Sequence, residues 1–358
     1  MRHWLCWEGK KGKDPKSGNL LSPANSGTSF VRKERGMKKR LFILGLILAL
    51  LSVFLPACRE NPNQPPQPTE TNPQVEYTFT PTPLAPLSAV DFFGQEMKLT
   101  TKPTRIISLG PSATELVYAL GSFDQLVAVS TADDFPSQVA SKETIGGMDN
   151  PSLEKILSLK PDLVFAVFGT PMTLIENLRQ QQVPVFGLNP KTIKDVLQDL
   201  YNLGSLLEQE ETAKQLIDQA LSAIATLQER GSSTPTLPKV YLETWPQEPY
   251  YTFGPGSFGD DLIRIAGGEN LAASADEAYP ALSTDYILFE NPDAIVLAYM
   301  VTGSPLEQVK SRPGWQTVSA VVQNKILVPA DPNIYLRPGP RILQALDELA
   351  HFLHPNWF

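Results

Sequence analysis

From residue 90 to the C-terminus, short apolar runs alternate with stretches of helical periodicity, and Gly, Pro or Asn-rich breakers separate them. Residues 90–93 and 96–99 flank Gly94-Gln95, a pattern for a small hairpin. Residues 105–109 (RIISL) form an apolar strand that Gly110-Pro111 breaks. Ser112-Ala113-Thr114-Glu115 has the capping-box spacing, so a helix is predicted over 116–120, closed by Gly121. A strand at 126–130 follows, then a helix capped by Ser152 and running to 159. The Lys160-Pro161-Asp162 turn leads into a strand at 163–168, a helix at 172–181 and a strand at 183–186. This order predicts a parallel sheet with flanking helices.

Residues 192–230 contain almost no breakers. The apolar positions 213, 216, 217, 220, 221, 224 and 227 have helical spacing, so 209–229 is predicted as one helix roughly 30 Å long. A second α/β unit starts with a strand at 240–244 and repeats the first. Ser152-Leu-Glu-Lys-Ile-Leu-Ser-Leu-Lys-Pro-Asp162 aligns with Ser283-Thr-Asp-Tyr-Ile-Leu-Phe-Glu-Asn-Pro-Asp293, and residues 115–121 echo residues 261–267. The fold class is therefore α/β: two Rossmann-like lobes with a ligand cleft between them, joined by one long helix.

The N-terminal part is different. Met37-Lys-Lys-Arg40 precedes an apolar run at 41–55, too short to span a bilayer comfortably but of the right length for a signal peptide core. Its end, Leu55-Pro-Ala-Cys58, resembles a bacterial lipobox, which implies lipidation of Cys58. Residues 59–87 are rich in Pro, Asn, Gln and Thr, a composition that stays extended and reaches roughly 90 Å. The expected organisation is an upstream extension (1–36), a lipoprotein signal peptide (37–57), a lipid-anchored linker (58–88), an N-terminal lobe (89–190), a helical segment with the bridge (191–235) and a C-terminal lobe (236–358). The expected location is extracytoplasmic, membrane-anchored through the lipid alone.

Charge and rare residues narrow the function. Residues 1–57 hold 11 Lys/Arg against 3 Asp/Glu, leaving 19 against 35 in the remainder, a poor surface for nucleic acid. With 2 Cys and 3 His, and no histidine between His3 and His351, neither a disulfide framework nor a metal site is expected. Residues 110–114 begin like a nucleophile elbow but lack its final glycine, and no histidine is placed to act as base. Gly254-Pro-Gly-Ser-Phe-Gly259 matches a dinucleotide-binding pattern but does not directly follow a strand, so it reads as a loop and helix-entry device. No catalytic residue and no cofactor are expected; an exported hydrolase is the alternative from another class.

Six stretches carry a family resemblance across 90–355: residues 105–115, 146–154, 159–163, 267–270, 312–315 and 339–342. In order and spacing they resemble the helix-linked periplasmic binding proteins of ABC importers for cobalamin, ferric siderophores and haem, with the 112–115 and 151–156 stretches nearest the cobalamin branch. The resemblance implies capture of a bulky corrinoid or ferric chelate by a monomer and its delivery to a permease dimer with ATPase subunits. It also implies that Glu154 and Glu269 dock on permease arginines. Ligands of parallel α/β lobes meet the loops after the strands. Those loops bring forward Pro111, Ser112, Asp133, Phe135, Met148 and Phe168 in the first lobe. In the second lobe they bring forward Trp245, Tyr250, Tyr251, Phe253, Phe258, Tyr299, Tyr335 and Arg337, the arginine as partner for an anionic group. Cobalamin binders often present aromatic residues where this chain has Ala132, Val167 and Ile334, so its rings are shifted toward the second lobe.

Overall fold

The computed structural model describes residues 77–299 and 303–358. The expected upstream extension, signal peptide, Cys58 and most of the linker lie outside the described residues. Chain order begins with the antiparallel hairpin β1 (Ser88–Val90) and β2 (Glu96–Lys98), turned at Gly94 with φ +72°. The first lobe then runs β3 (Ile106–Ser108), α1 (Pro111–Ala119), β4 (Leu126–Val129), β5 (Glu143–Thr144), α2 (Leu153–Ser158), β6 (Leu163–Val167), α3 (Met172–Gln180) and β7 (Val185–Leu188). Its sheet is wholly parallel, in the order β5-β4-β3-β6-β7.

Two helices lead out of this lobe, α4 (Ile193–Leu206) and α5 (Glu210–Ser232). The second lobe continues with β8 (Lys239–Glu243), β9 (Tyr250–Tyr251), α6 (Phe258–Ile265), β10 (Glu269–Asn270), β11 (Ala281–Leu282), α7 (Thr284–Glu290), β12 (Ala294–Leu297), α8 (Pro305–Lys310), α9 (Ser319–Val322), β13 (Ile326–Leu327), α10 (Asn333–Leu336) and α11 (Ile342–Leu353). Its main sheet is also parallel, ordered β10-β8-β12-β13, while β9 and β11 form a small antiparallel pair. No helix among the described residues is long and apolar enough to cross a membrane.

Strand residues alternate between two cores. In β6, Leu163 and Phe165 face the central core while Val164 and Ala166 face an outer one. In β8, Val240 and Leu242 face the same central core while Tyr241 faces a third cluster with Trp315. Both faces of each sheet are therefore covered, as parallel strands require. The central core runs without a break from β3 and α1 through α4 and α5 to α6 and α11, so the two lobes share one apolar back. Helix α5, with 23 residues and a length of about 34 Å, buries Ala213, Ile217, Ala220, Ile224 and Leu227 along one stripe. A Cβ on Gly204 would lie 2.5 Å from the Ala213 side chain, so α4 and α5 touch closely at their shared turn.

The internal repeat has the same physical function in both lobes. Ser152 accepts from the Lys155 amide (3.3 Å) and Ser283 from the Tyr286 amide (3.3 Å), capping α2 and α7. Lys160 and Asn291 each end their helix with φ +47°. Asp162 then accepts from the amides of Thr104 (2.8 Å) and Arg105 (2.9 Å), and Asp293 from that of Lys239 (2.9 Å). Each Pro-Asp turn thereby ties one strand's entry to the start of its neighbour.

Two local expectations change. Ser112 does not cap α1: the helix starts two residues earlier, with Gly110 as N-cap and Pro111 at its first position. Pro111 presents no amide of its own, the Ala113 and Thr114 amides donate to the Gly110 carbonyl, and Glu115 is free for another partner. A capping box does form at α4, where Thr192 and Asp195 satisfy each other's amides. The strand expected at 183–186 lies at Val185–Leu188, because Pro184 has no amide to give to the ladder.

Candidate functional site

The loops at the carboxyl ends of the strands converge within each lobe. Gly110, after β3, has room for no side chain: a Cβ would lie 2.6 Å from Val167 and 3.3 Å from Met148. Three first-lobe loops, those carrying Pro111, Met148 and Phe168, are thus packed together. Pro111 is buried, Ser112 and Met148 are half-buried, and Phe168 is 57% exposed. The loop after β4 is folded on itself by Asp133, whose carboxylate accepts from the Ser130 amide (3.0 Å) and hydroxyl (2.5 Å). Burial pushes the Asp133 carboxyl up, and its hydrogen bonds to Ser130 offset part of that rise. Phe135, half-buried in the same loop, meets Tyr118 edge-on.

In the second lobe most of the expected rings are packing groups. Phe258 and Tyr335 are fully enclosed, and the Tyr335 hydroxyl donates to Glu348 (2.8 Å). Phe253 is buried against Gly259 and Tyr279, so the six-residue glycine motif serves close packing and a turn at Gly256 (φ +75°), with Ser257 capping α6. These rings, brought forward as ligand candidates by their loops, lie in the core, where their apolar area is used up. Tyr250 and Tyr299 are also buried, leaving Trp245 and Tyr251 half-buried near the surface. Arg312 organises this loop. It grips the buried Glu243 with two hydrogen bonds (2.6 and 2.7 Å), donates to the Pro246 carbonyl (3.2 Å), and lies between Tyr250 (4.6 Å) and Trp315 (4.5 Å).

The lobes meet through charged groups that the spacing of residues did not announce. Arg341, in the turn before α11, holds Glu115 of α1 by Nε (2.9 Å) and Nη2 (2.8 Å). Its third nitrogen donates to Asp331 (2.5 Å), and its guanidinium covers the Phe135 ring at 4.3 Å. Arg337 donates to Glu115 (3.2 Å) and grips Asp134 with both Nη atoms (2.5 and 3.0 Å); Asn333 also donates to Asp134 (3.2 Å). Burial works against the Arg337 cation, but the bonds to Asp134 and Glu115 outweigh it and raise its pKa. Asp331 feels burial upward, yet its Arg341 bond leaves it below the usual carboxylate value. Arg337 is therefore a bridge between lobes, with its fork already occupied.

Glu154 is exposed in the first turn of α2, at the loop-bearing end of the first sheet. Glu269 is exposed too, but it opens β10 opposite Lys239, the first residue of β8, at the far end of the second sheet. The carboxylate that occupies the place of Glu154 in the second lobe is Asp285, exposed in the first turn of α7 behind its own serine cap. The repeated Ser-x-Asp/Glu spacing was the signal for it. Among the described residues no group of three or more His, Cys, Asp or Glu side chains is placed to hold a metal ion.

Comparison with known proteins matches this architecture. A family model described as periplasmic binding protein covers residues 106–331. The chain is 30% identical over 328 residues to YvrC of Bacillus subtilis, described as an uncharacterized ABC transporter substrate-binding lipoprotein, spanning 90% of this chain and 99% of that one. Among solved structures, the periplasmic vitamin B12-binding protein BtuF of Vibrio cholerae superposes with a TM-score of 0.60 at 27% identity, over 71% of this chain and 97% of that one. The periplasmic heme-binding protein RhuT of Roseiflexus sp. RS-1 gives 0.62 at 25% identity, over 71% and 99%. The chain belongs to the periplasmic binding protein family, as a substrate-binding protein of an ABC transporter.

Proposed function

We propose that this protein is tethered outside the cytoplasm through a lipid on Cys58, captures a bulky metal chelate of the corrinoid type, and delivers it to a permease dimer driven by ATPase subunits. The observation that carries the reading is the meeting of the loop after β4 with α10 and the turn before α11, through Asp134, Phe135, Asn333, Arg337 and Arg341. That contact turns the strand ends of the two parallel lobes toward one another, the usual site of ligands in such folds. Met148, Phe168, Trp245 and Tyr251 supply partly open apolar surface at those ends. The vitamin B12-binding relative supports a corrinoid; the heme-binding relative supports haem or another iron chelate as the alternative cargo.

Tryptophan-fluorescence titration of the full chain in detergent with cyanocobalamin, haemin and a ferric hydroxamate tests the cargo. Saturable binding of the corrinoid alone is the expected result, and binding of an iron chelate alone moves the cargo to the alternative. For delivery, the two carboxylates that occupy equivalent places are Glu154 and Asp285, in preference to Glu269. A rigid body presenting them at separate points sets register on arginines of a dimeric partner. The Glu154→Ala, Asp285→Ala double variant is expected to keep its ligand affinity and lose uptake, whereas Glu269→Ala keeps both. Uptake by the double variant at the wild-type rate would remove the assignment.

A further inference from the structure

The ion pairs that join the lobes are graded from inside to outside. The Glu115 side chain is 1% exposed and that of Arg341 7%; Arg337 is 16% exposed and Asp134 52%. We propose that Asp134 is a built-in competitor for Arg337: it fills the outward half of that guanidinium, and an anionic group on the incoming ligand, a phosphate or a carboxylate, takes its place. This rests on the ligand-capture reading above and adds the chemistry the cleft selects.

Departure of Asp134 releases the side-chain amide of the half-buried Asn333 but leaves no buried charge without a partner. Arg337 stays tied to Glu115 through Nη1, and Glu115 stays gripped by Arg341 through two nitrogens. The inner half of the network thus holds the arginine in place while its fork opens. Asp134 can leave without refolding its loop, because the neighbouring Asp133 secures that loop to Ser130. The exchange is close to neutral in charge. Three carboxylates (Glu115, Asp134, Asp331) face two guanidiniums here, and an incoming anion replaces one of the three. It also costs little: a pair half open to water biases the equilibrium by about fivefold at most. Guanidinium binds carboxylate and phosphate with the same two-pronged geometry, so Asp134 is a fair mimic of either. A corrinoid nucleotide carries a phosphodiester and haem carries carboxylates, so the exchange gives such anionic ligands a modest preference over neutral ones.

The test is thermal melting of the full chain in detergent at constant ionic strength, with inorganic phosphate in one arm and succinate in the other. Wild type, Asp134→Asn, Arg337→Gln and the double variant are compared. Asp134→Asn is expected to reach half its stabilisation at about fivefold lower anion concentration than wild type. The response is expected to vanish in both variants lacking Arg337, and the stronger arm names the preferred group. Arg337→Lys, which keeps the charge but not the fork, is expected to show a weakened response and covers the case in which Arg337→Gln does not fold. Equal responses in wild type and Asp134→Asn, a response surviving Arg337→Gln, or no response in any variant would each overturn the proposal. An anion response without chelate binding leaves the role of Asp134 standing and removes the cargo reading. Chelate binding indifferent to both substitutions does the reverse.

Discussion

Glu115 shows how much a single side chain depends on the fold around it. Its spacing from Ser112 suggests a capping partner, yet the structure places it at the lobe boundary with two arginines more than 220 residues away in sequence. Removing its charge takes the buried carboxylate from between two guanidiniums, which keep only the more exposed Asp134 and Asp331 as partners. Glu115→Gln is therefore expected to lower stability by about 3–5 kcal/mol. A second substitution, Arg341→Met, is expected to cost much less in that background than alone, because the orphaned charge is already gone. Urea denaturation of the four species measures both. Additive losses would mean that the pair does not act as a unit.

At the scale of the element, the repeated cap, helix, Pro-Asp turn and strand was fully legible. The cap and the helix end are local rules, a serine oxygen reaching an amide three residues on and a left-handed residue ending the helix, whereas the aspartate's bond to the neighbouring strand spans more than 50 residues and came from the fold. Ser152→Ala and Ser283→Ala are each expected to cost about 1 kcal/mol, and the double variant about the sum, since the two caps belong to different lobes. Denaturation midpoints at unchanged slope check this. Where a proline changed the local rule, the expectation moved: α1 opens at Pro111 rather than after Ser112, and β7 begins after Pro184. The aromatic run at 250–258 was legible as a cluster but not as core or surface. Its members alternate between the buried Phe253 and Phe258 and the half-buried Tyr251, and neighbouring elements decide which is which.

Over the whole molecule, α5 and the continuous central core join the lobes along the back, and the Glu115 network joins them again at the strand ends. A body tied at both places has little freedom to open. Ligand binding is expected to change the radius of gyration by less than about 1 Å, a rocking motion rather than a hinge closure. Small-angle scattering with and without ligand measures it, and compaction of several ångströms would contradict it. The two α/β units, their internal repeat, the long connecting helix and the family resemblance are all readable along the chain. These follow from periodicity, caps and breakers, which act over a few residues. Which rings are core, that Arg337 is already paired, and that Glu269 lies at the opposite end of its sheet from Asp285 came from the folded molecule. Those properties depend on which loops meet across the sheets and between the lobes, and contacts between residues so distant along the chain leave no periodic mark in it.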